Sequence, residues 1–151
     1  MISVRRLGES DLLGFRAMNA LYSDVFDEPE NYSEKPPSEA YVSEWLANPN
    51  HIALLAEGDG AAVGALSGYI LPKFEQQRSE LYIYDLAVRE TYRRRGVATA
   101  LIAETRRIAR SVGAWTIFVQ ADTTIEDKPA QALYRKLSND EASVLHFDLK
   151  P

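Results

Sequence analysis

The feature that most constrains this chain is a strand-like run, Ser79 to Val88 (SELYIYDLAV), followed closely by Arg93-Arg94-Arg95-Gly96-Val97-Ala98 and then by an amphipathic helical pattern. A strand, a cationic turn and a helix in that order build a place for an anion. The first turn of a helix has backbone N–H groups without internal partners and carries the positive end of the helix dipole. A diphosphate placed there gains several charge-assisted hydrogen bonds. Gly96 and the small Ala98 let that backbone come close to a ligand. The same order of elements also occurs in domains where the arginines are only a solvated turn, so the residues alone leave both readings open.

The rest of the chain predicts a single domain, residues 1–151, of mixed α/β character. Ile2 to Leu7 alternates as a short strand, and Gly8 breaks it. Leu12, Phe15, Met18, Leu21 and Tyr22 recur at helical spacing behind Ser10 and Asp11, which can cap a first turn. Ser23 to Pro37 is rich in acids and prolines and reads as a loop, either a solvated connector or one wall of a cation site. Val42, Trp45 and Leu46 mark a second short helix. His51 to Glu57 and Ala61 to Leu71 flank Gly58-Asp59-Gly60 and predict a hairpin in which the glycines supply the positive φ angles.

In the run from Ser79, Glu80, Tyr82 and Tyr84 are expected on one face and Leu81, Ile83 and Asp85 on the other, with the alternation changing character at Asp85. A bulge at that point would expose backbone groups to a ligand. Val97, Leu101, Thr105, Ile108 and Val112 form the buried stripe of the next helix, which Gly113 ends. Trp115 to Ala121 reads as a strand made parallel by its helical crossover. Pro129 to Leu137 reads as a helix, and Val144 to Leu149 alternates as a last strand. Trp45 and Trp115 read as core, and His51 and His146 as satisfied strand histidines rather than metal ligands.

Composition narrows the function classes. Hydrophobic residues are 46% and charged ones 26%, which describes a packed globular chain rather than a disordered one. No apolar run reaches the ~20 residues that span a bilayer, and Met1 to Arg6 lacks a signal-peptide core, so no membrane partner and a cytoplasmic location are expected. Cysteine is absent, which excludes an acyl-cysteine intermediate. A net charge of −5 repels nucleic acid and favours cationic partners, leaving the arginine run as a local positive spot.

The Arg-x-x-Gly-x-Ala spacing after the strand resembles the acetyl-CoA pyrophosphate loop of the GNAT acyltransferases. A closer likeness is carried by Val63-Gly64-Ala65, Tyr69 to Glu75 (YILPKFE), Ser79 to Val88, Arg93 to Ile102 (RRRGVATALI), Val119 to Asp122, Pro129 to Leu137 (PAQALYRKL) and His146 to Leu149. Together these look like the type I aminoglycoside 3-N-acetyltransferases. The likeness covers about the last two thirds of the chain, and the long blocks around Tyr69 and Ser79 mark the subgroup. It implies a GNAT fold, a mixed sheet of about six strands flanked by about four helices, with the family's penultimate strand deleted after Leu137.

The resemblance implies acetyl-CoA as donor, a small polycationic amine as acceptor and a homodimer. Leu86, Ala87, Val88, Arg93, Arg94, Arg95, Gly96, Val97, Ala98 and Thr99 would hold the cofactor, pantetheine pairing with the bulged strand. Asp85 would accept the amine's proton, a role compatible with capping the bulge, with Glu80 as second choice acting through water. Tyr134 resembles the tyrosine that protonates the departing thiolate, and is also placed as a core aromatic. Asp27, Glu28, Asp122, Glu126 and Asp127 are candidate partners for further ammonium groups, each of them also an ordinary surface acid. An acceptor such as a polyamine, an amino acid or a protein amine fits the same chemistry, as does a CoA-binding sensor without turnover.

Overall fold

The computed structural model describes every residue from Met1 to Pro151. The elements in order are β1 (Ile2–Arg6), α1 (Leu12–Phe26), α2 (Pro29–Tyr32), α3 (Glu39–Ala47), β2 (His51–Gly58), β3 (Ala61–Pro72), β4 (Ser79–Val88), a 3-10 turn (Glu90–Tyr92), α4 (Val97–Ser111), β5 (Ala114–Val119) and α5 (Lys128–Leu137). They form two compact units, Met1–Phe118 and Val119–Pro151. None of the helices is long and apolar enough to cross a membrane.

In the first unit β1 to β4 form an antiparallel run, and β5 follows beside β4 after the α4 crossover, so the sheet is mixed with order β1-β2-β3-β4-β5. Both faces are covered, which is why Ile52 to Ala56 is buried without a break. Ala53, Leu55, Ala65 and Ala87 pack with Met18, Leu21 and Tyr22 of α1 and Val42 and Leu46 of α3. On the opposite face α4 presents Val97 and Leu101. A Cβ added to Gly64 would lie 2.6 Å from Val97 Cγ1, so this glycine lets the first turn of α4 approach the sheet. The one buried polar side chain of that helix, Thr105, is satisfied by donating to Leu101 O at 2.9 Å.

Asp11 caps α1 by accepting from Gly14 N at 3.1 Å, and Ser38 caps α3 by accepting from Tyr41 N at 3.2 Å. The α1 helix runs four residues past Tyr22 because Val25 and Phe26 continue its packing stripe against the core. Pro29, at the first turn of α2, starts a short helix inside the acidic stretch that reads as loop from composition. In the hairpin the positive φ angles belong to Asp59 (54°) and Gly60 (78°), not to Gly58, whose lack of a side chain instead makes room for Ile2.

The sheet has five strands rather than six. The alternation of Val144 to Leu149 forms no strand: Leu145, Phe147 and Leu149 are exposed and no neighbouring backbone pairs with the segment. Period-2 patterning produces a strand only where an edge satisfies its N–H and C=O groups. Trp115, expected in the core, is 54% exposed, with the Arg78 guanidinium 4.1 Å from its ring centre.

The interruption that positions everything below lies between β3 and β4. Ser67 pairs with Asp85, but Gly68 pairs with Ile83, so Tyr84 has no residue opposite it. The strand phase therefore shifts. Tyr82, opposite Tyr69, and Asp85, opposite Ser67, both lie on the face covered by α1 and α3, instead of on opposite faces as plain alternation predicts. A Cβ on Gly68 would sit 2.5 Å from Tyr82 O, a backbone atom that cannot rotate away. Gly68→Ala is expected to cost about 1–3 kcal/mol and lower the melting temperature by several degrees. Gly8→Ala, whose added methyl meets nothing within 4 Å, is the control and should change little in the same thermal scan.

Candidate active site

Asp85 is held by two hydroxyls from two other elements. Tyr32 at the end of α2 donates to Oδ1 at 2.9 Å, and Ser67 on β3 donates to Oδ2 at 3.3 Å. Burial pushes the carboxyl above the ordinary aspartate range; the bonds from Tyr32 and Ser67 pull it partly back, and the nearby charge of Glu28 adds to the rise. Burial and the Asp85 charge in turn push the Tyr32 phenol far up, so Tyr32 stays a donor throughout the physiological range. Tyr22 of α1 lies close to Ser67 with its buried hydroxyl lacking a hydrogen-bond partner, and burial raises its phenol strongly. The result is a half-desolvated carboxylate beside an exposed bulge residue, a suitable acceptor for a proton from a cation.

The arginine loop forms a second locus in the same unit. Arg94 (φ 62°) and Gly96 (φ 82°) both adopt the left-handed conformation, and α4 starts at Val97 with no side chain capping its first N–H groups. Left-handed residues just before an uncapped helix are a feature of anion-binding nests, and the first N–H groups of α4 have no side-chain acceptor. Arg93, Arg94 and Arg95 are exposed, and no carboxylate of the chain pairs with them although acids outnumber bases. Arg95 lies over the Tyr92 ring at 5.1 Å, and Tyr92 is tied to Asp59 at 2.7 Å. Arg89 anchors the approach to the loop, donating to Ala62 O and Asp24 Oδ2, both at 3.1 Å. Val97 is buried against the sheet, so only its backbone is available to a ligand, while Thr99 is exposed and Ala98 half-buried.

Leu86, Ala87 and Val88 continue β4 past the bulge, opposite Leu66, Ala65 and Gly64. Glu80 lies five residues back along the strand, where it pairs with Lys73 at 3.2 Å. Glu28 accepts from Asn31 at 3.0 Å and contributes to the field at Asp85, while Asp27 is the left-handed cap of α1. His51 is satisfied: its Nδ1 is 2.8 Å from Trp45 O and its ring stacks on the indole. In the second unit, Asp127 accepts from Asp122 N at 2.8 Å, Gln131 donates to Asp122 O at 2.6 Å, Glu126 is exposed, and Tyr134 is half-buried on α5.

Tyr32, Ser67, Tyr22 and Arg89 escaped the sequence reading. Tyr32 lies 53 positions from Asp85, and only Pro29 signalled that the acidic stretch turns into a helix there.

The acetyltransferase (GNAT) family model matches residues 16–138, and the chain belongs to that family. It is a GNAT acetyltransferase, and members of this family take acetyl-CoA as the acetyl donor. Among solved structures, an aminoglycoside acetyltransferase, HMB0005, from an uncultured soil metagenomic sample is 45% identical with a TM-score of 0.97, over 100% of this chain and 99% of that one. A second, meta-AAC0020, also from an uncultured soil metagenomic sample and solved with sisomicin, is 28% identical with a TM-score of 0.90, over 99% and 96%. Among characterised sequences, an N-alpha-acetyltransferase of Sulfurisphaera tokodaii is 32% identical over 128 residues, 78% of this chain and 70% of that protein.

Removing the Tyr32 hydroxyl should raise the Asp85 pKa further, because it deletes a bond made preferentially to the charged form. In Tyr32→Phe the acidic limb of the pH profile of kcat/KM is therefore expected to move to higher pH, with activity at neutral pH falling about tenfold. A limb that stays in place would show that the hydrogen bond does not control this carboxylate.

Proposed function

We propose that the chain transfers the acetyl group of acetyl-CoA to the 3-amino group of the 2-deoxystreptamine ring of aminoglycosides, by direct attack in a ternary complex, and so confers antibiotic resistance. The observation that carries this reading is Asp85, desolvated and doubly hydrogen-bonded on the bulge before the arginine loop. The full-length similarity to an aminoglycoside acetyltransferase and the type I motifs support the acceptor. By the same resemblance the chain acts as a homodimer.

In this mechanism the acceptor arrives as an ammonium, since alkyl amines titrate near ~10. Asp85 takes its proton, directly or through a water, and the neutral nitrogen attacks the thioester carbonyl. Backbone N–H groups near Leu86 to Val88 hold the oxyanion. The C–S bond breaks as the amide forms; by the family resemblance Tyr134 gives a proton to the departing thiolate, and the second proton that the nitrogen loses returns through water to the phenolate. Arg93 to Thr99 hold the pyrophosphate. Glu80, paired with Lys73, is the second choice of base and would act through water. Glu28 and Asp27 attract the remaining ammonium groups of the acceptor; Asp122, Glu126 and Asp127 are further candidate partners for such groups.

The similarity to an archaeal N-alpha-acetyltransferase favours one alternative, acetylation of a protein or peptide N-terminus. The two readings separate in a thiol-release assay, in which an enzyme without cysteine contributes no background. Acetyl-CoA is offered with gentamicin and sisomicin beside spermidine, lysine and short peptides. Turnover of the aminoglycosides, with the product acetylated at N3 and a loss of at least a hundredfold in Asp85→Asn, is the expected result. Turnover of peptides alone would replace this acceptor with an N-terminal amine.

A further inference from the structure

The bulge does more than turn Asp85. It leaves Tyr84 without a cross-strand partner and 59% exposed, on the same face as the carboxylate next to it. An exposed tyrosine is ordinary, but this ring is braced. Tyr69 meets it at 5.9 Å between ring centres and 89° between planes, and Tyr82 at 5.6 Å and 65°. Behind them the row continues on both sides. Tyr69 packs edge-on against Trp45 and His51, which stack at 4.5 Å, and Tyr82 stacks on Phe118 at 4.5 Å and 6°. The ring is held in place by an aromatic row that runs from α3 across β2, β3 and β4 to β5.

The surroundings are anionic and lack a resident cation. Asp85 and Glu28 are the charges that act there, and the Tyr69, Tyr82 and Tyr32 phenols, all raised, remain neutral. The two rings that carry a guanidinium of the chain are Trp115 and Tyr92; Tyr84 and Tyr69 carry none. A fixed, electron-rich ring face beside a carboxylate suits an ammonium ion, which the ring quadrupole attracts while desolvation strengthens the pull.

We propose that Tyr84, braced by Tyr69 and Tyr82, is a docking platform for a second ammonium group of the acceptor, one that is not acetylated. The proposal rests on the reading of Asp85 as the group that takes the reacting amine. Tyr84 thus sets specificity: a polyamine acceptor engages both the carboxylate and the ring, whereas a monoamine engages the carboxylate alone.

The test replaces Tyr84 with Phe and with mono-, di- and trifluorinated Phe, which drain the ring face of charge at nearly constant shape. Dissociation constants for sisomicin and for cyclohexylamine are measured by NMR titration of the CoA-bound protein. Stepwise weakening for sisomicin, about 5- to 30-fold across the series, with less than twofold change for cyclohexylamine, is the expected result. Flat sisomicin values across the series overturn the platform, even if Tyr84→Leu weakens binding, because shape rather than charge would then matter. Equal weakening for the monoamine overturns it too, by assigning the ring to the reacting amine. A wild-type protein that binds no polyamine also overturns it. Stepwise weakening in a protein that acetylates no amine would sink the acetyl-transfer reading to aminoglycosides while leaving the platform standing.

Discussion

One missing cross-strand partner organises this site. Because Ser67 and Gly68 of β3 face Asp85 and Ile83 of β4, the strand carries one more residue than its neighbour, and Tyr84 takes up the excess. A bulge in the middle of a sheet disrupts the ladder locally, so it persists only where the surroundings hold it. Here Gly68 allows the backbones to close to a distance no other residue permits, and the hydroxyls of Tyr32 and Ser67 fix the carboxylate that follows. The phase change brings Asp85 to the tyrosine-rich face.

Electrostatics divides the labour within an acidic chain. The carboxylate at the bulge lies in a partly desolvated place where its charge is unfavourable, so it binds a proton more readily in the folded chain than in the unfolded one. The native state therefore holds more protons than the unfolded state between the two pKa values, and this group makes stability fall as pH rises through that window. The cost is local: it falls on one carboxylate, and the Tyr32 and Ser67 hydroxyls offset part of it. At the arginine loop the situation is reversed. Three exposed cations without carboxylate partners stand beside a helix start that no side chain caps, a local excess of positive charge on an acidic chain.

Much of the fold is legible in the chain because its signals are local. Ser79–Val88 and the Gly60 turn carry strand and hairpin signatures, and the Val97 stripe with its Gly113 stop defines α4. The arginine loop is legible for the same reason: cations, a left-handed glycine and a helix start are adjacent in sequence. The changed alternation at Asp85 announces a bulge, and one lies there, but the face of Asp85 is not legible because the pattern does not say that Tyr84 is the extra residue. Tyr32 and Ser67 are invisible from sequence since their meaning depends on pairing across long separations. The segment from Val144 to Leu149 errs in the opposite direction, carrying the strand pattern with no edge to pair with.

The site depends on the bulge holding Asp85 as a partly desolvated carboxylate above its ordinary pKa. A direct reading is a pH titration of the Asp85 side-chain carboxyl followed by 13C NMR on the selectively labelled wild-type protein. A midpoint above the usual aspartate value is expected, with the Tyr32 ring resonances shifting along the same curve because the two groups share a hydrogen bond. A midpoint at or below the usual value, or a carboxyl that titrates without Tyr32 responding, would contradict it.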